Sequence, residues 1–398
     1  MDVVAQIQAA NAGRDPQRLQ LKYRAMRESA FAFLRGSCAL FYDRLPRGGI
    51  FDSAPLVWIS GDLHLENFGS YRADNRLAYF DINDVDESAL APASWEVVRF
   101  LASVLVGARG LGIKASRRRR LCRSFIDAYA DALAVGKAYW LERDTATGLI
   151  RDLLDEVRDR KRADFLDSRT VVRGKRRVLR VDGDKALAAT AKERSMVRAF
   201  MHEFAATQPD PAFYRALDVA RRIAGTGSLG VERYVILVRG KGSRDGNELL
   251  DLKAALPSAL GARLKTVQPR WKSEAHRIVA VQQRLQAASI AFLHPVMMDG
   301  RYFVLRALQP AQDRIDLSRA DAAELEALVR TMGQLVAWAQ LRSAGRQGSA
   351  IADALIEFGQ RDKWKAELLD ATEASAAHVL EDAAAFDAAW DAGRFAGG

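Results

Sequence analysis

Gly61-Asp62-Leu63-His64-Leu65-Glu66-Asn67 (61–67), with Tyr79-Phe80-Asp81 on the next apolar run, is the stretch that decides how this chain is read. An apolar run, LVWIS (56–60), leads into it, and RLAYFDIND (76–84) follows and ends abruptly in acids. Two strand-like segments thus flank a polar, turn-rich loop. Asp62 and Asn67 stand in D-x-x-x-x-N spacing on that loop, and Asp81 closes the second segment. Phosphoryl transfer needs a carboxylate to orient the attacking hydroxyl and oxygen ligands to hold Mg²⁺ against nucleotide phosphates. The spacing alone is common; the strand–loop–strand setting and the second acid give it meaning. The plainer reading makes Asp62, His64 and Asn67 turn residues bonded to their own backbone. His64 on its own reads as a structural hydrogen-bond partner. Asp84, Asp86 and Glu87 read as caps of the next helix, with Asp84 also able to assist a metal.

A second segment runs Gly225-Thr226-Gly227-Ser228-Leu229-Gly230, then the strand RYVILVRG, a turn, and Leu249-Leu250-Asp251-Leu252-Lys253. Glycines between two strands let backbone N–H groups approach phosphate. A strand on each side argues against a strand-to-helix dinucleotide turn. Ser228 shares that loop, Lys253 ends a strand within reach of α- and β-phosphates, and Glu274 on the following helix is placed to pair with it. Alone, the glycine run is also a plain hairpin turn, and Lys253 a strand-edge residue. Arg35, beside Gly36, suits a forked contact to phosphate or an ion pair with Asp43.

These parts occur in the reverse of ordinary kinase order, because the glycine loop and lysine follow the catalytic-type loop. Circular permutation reconciles the order with the chemistry, since chain ends often lie close together. The expectation is an α+β, protein-kinase-like, two-lobed fold. Residues 1–210 form a helical large lobe with the catalytic and metal loops, 211–312 a small β-rich nucleotide lobe, and 313–398 helices completing the large lobe.

The segments AFAFLRGSCALFY, GDLHLENFG, YFDINDVDE, SWEVVRFLAS, GTGSLG, LDLKAA and YFVLRAL together resemble the bacterial domain-of-unknown-function 2252 family (DUF2252). GDLHLEN and FDIND are also similar to the catalytic and metal loops of aminoglycoside-phosphotransferase-like kinases. The resemblance implies ATP and Mg²⁺ as cofactors, Asp62 as catalytic base, Asn67 and Asp81 as metal ligands, and Gly225, Gly227, Gly230 and Lys253 on phosphate. Arg35, His64 and Asp84 are further candidates for substrate or phosphate contact. Two departures stand out: Ile82-Asn83 replaces the expected Phe-Gly, and Gln340 stands where a His is expected.

Composition narrows the classes further. The 398 residues are 49% hydrophobic and 28% charged, which excludes a disordered or collagen-like chain. Two cysteines, Cys38 and Cys122, cannot build a disulfide framework or a cysteine-rich zinc site. The start, MDVVAQIQAANAGRD, lacks a signal peptide's basic and apolar regions. No apolar run approaches the ~18–20 residues that span a bilayer, so the expected location is cytoplasmic, with no membrane partner. A net charge of +10 suits anionic partners without choosing among them. The expected activity is an ATP- and Mg²⁺-dependent phosphotransferase acting on a hydroxyl acceptor. Two alternatives remain at this level. One is a kinase relative that only binds nucleotide or transfers AMP; the other is a basic nucleic-acid-binding module using residues 114–123. The second is disfavoured, because Arg117–Arg120 reads as a solvated helix face without interleaved aromatics.

Overall fold

In the computed structural model, which describes residues 2–174, 176–317 and 320–395, the N-terminal segment breaks into four short helices. These are α1 (Val3–Ala10), α2 (Pro16–Met26), α3 (Ala30–Gly36) and α4 (Cys38–Asp43). Each break is written in the sequence. Asp15 caps α2 by accepting from the Arg18 N–H, Pro16 opens that helix, and Ser29 caps α3. A single turn, α5 (Ile50–Ser53), leads to β1 (Leu56–Ile59).

The strands around the 61–67 loop pair differently from expectation. β2 (Phe68–Arg72) forms a hairpin with β3 (Ala78–Ile82), while β1 pairs antiparallel with β4 (Ala89–Pro92). The loop therefore links two separate two-stranded ribbons. Two long helices follow, α6 (Ala93–Gly110) and α7 (Ala115–Val135), separated near Gly112 as the sequence predicts. Then come α8 (Gly148–Asp159), α9 (Arg162–Asp167) and the hairpin β5 (Thr170–Arg173) with β6 (Arg176–Leu179). The stretch VVRGKRRVLRV (171–181) predicts this hairpin with its turn at Gly174-Lys175, of which Lys175 lies outside the described residues.

The main sheet begins earlier than residue 211. β7 (Ala186–Ala188) pairs with β8 (Ala216–Arg222), and α10 (Ala191–Ala206) packs Val197, Phe200 and Met201 against the sheet's apolar face. The expected boundary at 210 therefore cuts through one packing unit. β9 (Arg233–Val238) and β10 (Glu248–Ala254) continue antiparallel, α11 (Glu274–Leu285) follows, and β11 (Leu293–Met298) and β12 (Arg301–Leu308) finish the sheet. Its spatial order is β11-β12-β10-β9-β8-β7. Lys253 faces Arg233 across the ladder, and Asp251 faces Arg306.

Three helices close the chain: α12 (Ala322–Ser343), α13 (Ala352–Gln360) and α14 (Lys363–Asp391). α7 is the axle of the helical part, because glycines let two neighbours approach its backbone. A Cβ at Gly333 of α12, or at Gly359 of α13, would come within 2.6 Å of an α7 carbonyl oxygen, Phe125 or Ala130 respectively. Around α7 the stacked rings of Phe100, Phe125 and Tyr129 fill the core. No helix among the described residues is long and apolar enough to cross a membrane.

Candidate functional site

The loop that carries Asp62 is held from beneath. The buried Glu96 carboxylate accepts from the Ser60 N–H and hydroxyl, both at 2.6 Å, and Gln340 joins it to Tyr129. Gln340 thus anchors the loop through Glu96 where a His was expected. Gly61 turns with φ +90, and a Cβ there would strike the Glu87 carbonyl oxygen at 2.1 Å, so only glycine fits. The fully buried Arg99 donates from Nε (3.1 Å) and Nη2 (2.5 Å) to Asp62 Oδ1. That fork fixes the carboxylate and leaves Oδ2 toward the cleft. The Asn67 amide donates to the Asp62 carbonyl oxygen at 2.5 Å, leaving its own Oδ1 for a ligand. His64 is buried, and its Nδ1 accepts from the Glu66 N–H. Burial and then the nearby Arg35 hold its imidazole well below its ordinary range, so it is neutral at pH 7. Arg35 pairs with Glu66 at 2.9 Å rather than with Asp43, and Arg314 joins the same carboxylate.

The late sheet faces this loop. The glycine turn joins β8 to β9, and a Cβ on Gly227 would stand 3.7 Å from Asp62 Oδ2. Gly225 and Gly230 both have positive φ. The turn is pinned from the N-terminal helices: Arg14 donates to the carbonyl oxygens of Gly227 (2.7 Å) and Leu229 (3.0 Å), and buried Lys22 reaches Gly227 O at 3.3 Å. Burial, then Arg14, pushes the Lys22 ammonium well below its ordinary value. Lys253 bonds Ser228 Oγ at 2.6 Å and forms an ion pair with Asp86. Glu274 does not meet Lys253, because it pairs with Arg277 one turn along its own helix at 2.6 Å. Gln282 is the α11 polar residue that lines the cleft.

The acids after β3 divide sharply. Asp81 is 1% exposed and fully occupied: it accepts from Arg342 Nη2 (2.9 Å), the Ala287 N–H (3.1 Å) and the Ile82 N–H (2.9 Å). It does not line the cleft. Asp84, Asp86 and Glu87 do line it, together with Asp62, Asn67, Lys253 and the glycine turn, around a cavity of about 400 Å³. None of the three caps α6, which begins only after β4. Burial raises Glu87 to about 7, against the lowering effect of its bond from the Ala259 N–H. Asp84 is also raised, by enclosure and by Asp86 beside it. Among the described residues no three His, Cys, Asp or Glu side chains gather around one point. A divalent ion here would have to draw on few protein oxygens plus ligand and water, which suits Mg²⁺ and does not suit zinc.

The family model for an uncharacterized protein conserved in bacteria, DUF2252, matches residues 14–389. The chain belongs to that family. No curated protein and no solved structure matches it. In this DUF2252 chain the arginine run of α7 is tied down at home. Arg118 donates to the Ile113 carbonyl oxygen, Arg119 pairs with Asp370 and Glu373, and Arg120 pairs with Glu326. Three of the four arginines in the run 117–120 are thus engaged within the helical part. Sequence reading missed Asp86, Glu87, Arg14 and Lys22 as members of the cleft, and Arg99 as the buried support of Asp62. Only Asp86 and Glu87 carried a signal, through their place in the acid-rich run after β3.

Proposed function

We propose that this protein is an ATP- and Mg²⁺-dependent phosphotransferase acting on a hydroxyl acceptor. One observation carries the reading: Lys253, on the last of the three consecutive strands β8, β9 and β10 whose first two the glycine turn joins, reaches Asp86 inside the cavity that Asp62 and Asn67 also line. A glycine turn over the phosphates, a lysine on the third strand, a loop Asp and an Asn for metal are the working parts of protein kinases. The metal role moves from Asp81 to Asp84, with Asn67 Oδ1 as its partner, because Asp81 has no free oxygen to offer. Bound there, Mg²⁺ would neutralise charge on the β- and γ-phosphates. Asp62, steadied by Arg99, orients the acceptor hydroxyl and takes its proton as the acceptor oxygen bonds to the γ-phosphorus. The bond from that phosphorus to the β–γ bridging oxygen breaks, and ADP leaves.

The test is stabilisation of the protein by ATP with Mg²⁺, followed by turnover. Wild type should gain several degrees in melting temperature and Asp84→Asn should gain none, while Asp62→Ala should bind ATP without turning it over. Release of ADP marks phosphate transfer, and release of pyrophosphate marks AMP transfer. A wild type that ignores Mg²⁺-ATP at millimolar concentration overturns the proposal.

A further inference from the structure

Beneath the sheet, one layer deeper than Lys253, a single carboxylate holds three arginines. Asp251 is 1% exposed on β10. Its oxygens accept from Arg233 Nε (2.8 Å) and Nη2 (2.6 Å), and lie 2.7 Å from Arg222 Nη1 and 3.2 Å from Arg306 Nε. β8, β9 and β12 each contribute one guanidinium, and all three line the cavity. A structural ion pair in a sheet needs one arginine, and additional buried like charges cost stability unless something balances them. Burial, and then Arg233 beside it, push the Arg222 guanidinium down to about 9, which leaves it charged while showing how poorly Asp251 alone satisfies it. Asp84 and Asp86 face the group across the cleft, but Asp86 is taken by Lys253. Counting Lys253 and these acids, four cations meet three anions. Arg306 uses Nε on Asp251, so its Nη pair, the fork that matches a phosphate, is left toward the cavity.

We infer that the inner face of the sheet, at Arg222, Arg233 and Arg306, is a binding site for a phosphate group. An uncharged base placed there would strip water from three guanidinium groups and return few hydrogen bonds, whereas phosphate oxygens return several. The ligand therefore points a phosphate-bearing end up under the sheet. That end belongs either to a nucleoside triphosphate or to a phosphorylated acceptor. This site requires neither metal nor transfer chemistry, so it stands apart from the phosphotransfer reading.

The probe is inorganic tripolyphosphate in EDTA, titrated calorimetrically. Wild type should bind it, adenosine should not displace it, and Arg306→Gln and Arg222→Gln should each weaken it at least tenfold. Both variants keep the Arg233–Asp251 pair, so one can fail to fold without removing the test. Arg117→Gln, on the exposed face of α7, should leave affinity unchanged. Displacement by metal-free ATP assigns the phosphates to the nucleotide, and simultaneous binding of both assigns them to the acceptor. Absence of tripolyphosphate binding in wild type, or wild-type affinity in both arginine variants, overturns the inference even where Mg²⁺-ATP still stabilises the protein. Conversely, tripolyphosphate binding without a Mg²⁺-ATP response leaves this site standing and removes only the phosphotransfer proposal.

Discussion

Asp81 and Asp84 share one strand end and serve opposite purposes. Asp81 satisfies the half-buried Arg342 and two backbone donors, so Asp81→Asn should weaken that cluster and cost about 1–3 kcal/mol in urea unfolding. Asp84→Asn, open to the cleft, should shift stability by less than about 1 kcal/mol while abolishing the Mg²⁺-dependent response to ATP. The sequence FDIND offered both acids, and the family resemblance put the metal on Asp81. Arg342 and Ala287, which engage Asp81, are far away in the chain, and local pattern is blind to such partners. Glu87 offers a pH signature. Its pKa is raised on folding from 4.5 to about 7, so the folded state binds more protons than the unfolded state between those values. Stability from this group is therefore greatest at low pH, falls as pH rises from about 4.5 to 7, and then levels off. The change amounts to about 3 kcal/mol at most, at 1.36 kcal/mol per pH unit. Glu87→Gln should flatten that slope, and a variant with wild-type slope would refute the assignment.

Among the elements, the glycine turn between β8 and β9 was the most readable, because glycines bounded by β-rich alternation leave little but a hairpin. The helix α11 was equally plain, as was the β11–β12 turn, where Asp299 and Gly300 both take positive φ. The pairing of β1 with β4 was not, since any two apolar strands can pair and only the packed molecule chooses. The arginine layer was hidden for a related reason: Arg222, Arg233 and Arg306 lie on three strands, and each alone reads as a surface residue. Because Gly227 abuts Asp62, Gly227→Val should fill the space above the carboxylate. Mg²⁺-ATP affinity should then drop tenfold or more with little change in the melting point of the free protein. In the helical part, Gly333→Val would drive side-chain atoms into the α7 backbone. Chemical denaturation should register a loss of about 1–3 kcal/mol or more.

For the molecule as a whole, the cleft is assembled from three distant stretches: the early loop, the late sheet and the first two helices. Arg14, on the α1–α2 connection, holds the glycine turn by its carbonyls. Arg14→Ala should therefore raise the KM for ATP several-fold while leaving kcat nearly unchanged, and an equal fall in both would place Arg14 in the chemistry instead. The same N-terminal helices also rest on the last one. Asp2 pairs with Arg394 at 3.7 Å, Gln8 and Gln20 donate to the carbonyl oxygens of Arg394 and Phe395, and Tyr23 packs on Phe386 and Phe395. Head and tail are thus already stapled side by side. A short peptide ligated between them would make a seamless ring with little distortion, and cutting that ring at the exposed 241–245 bend would put β10 at the new start and β9 at the new end. Such a re-threaded chain would carry its strand lysine near the new start and its glycine turn near the new end, and the uncut ring should fold faster than the linear parent, because the ends no longer have to find one another.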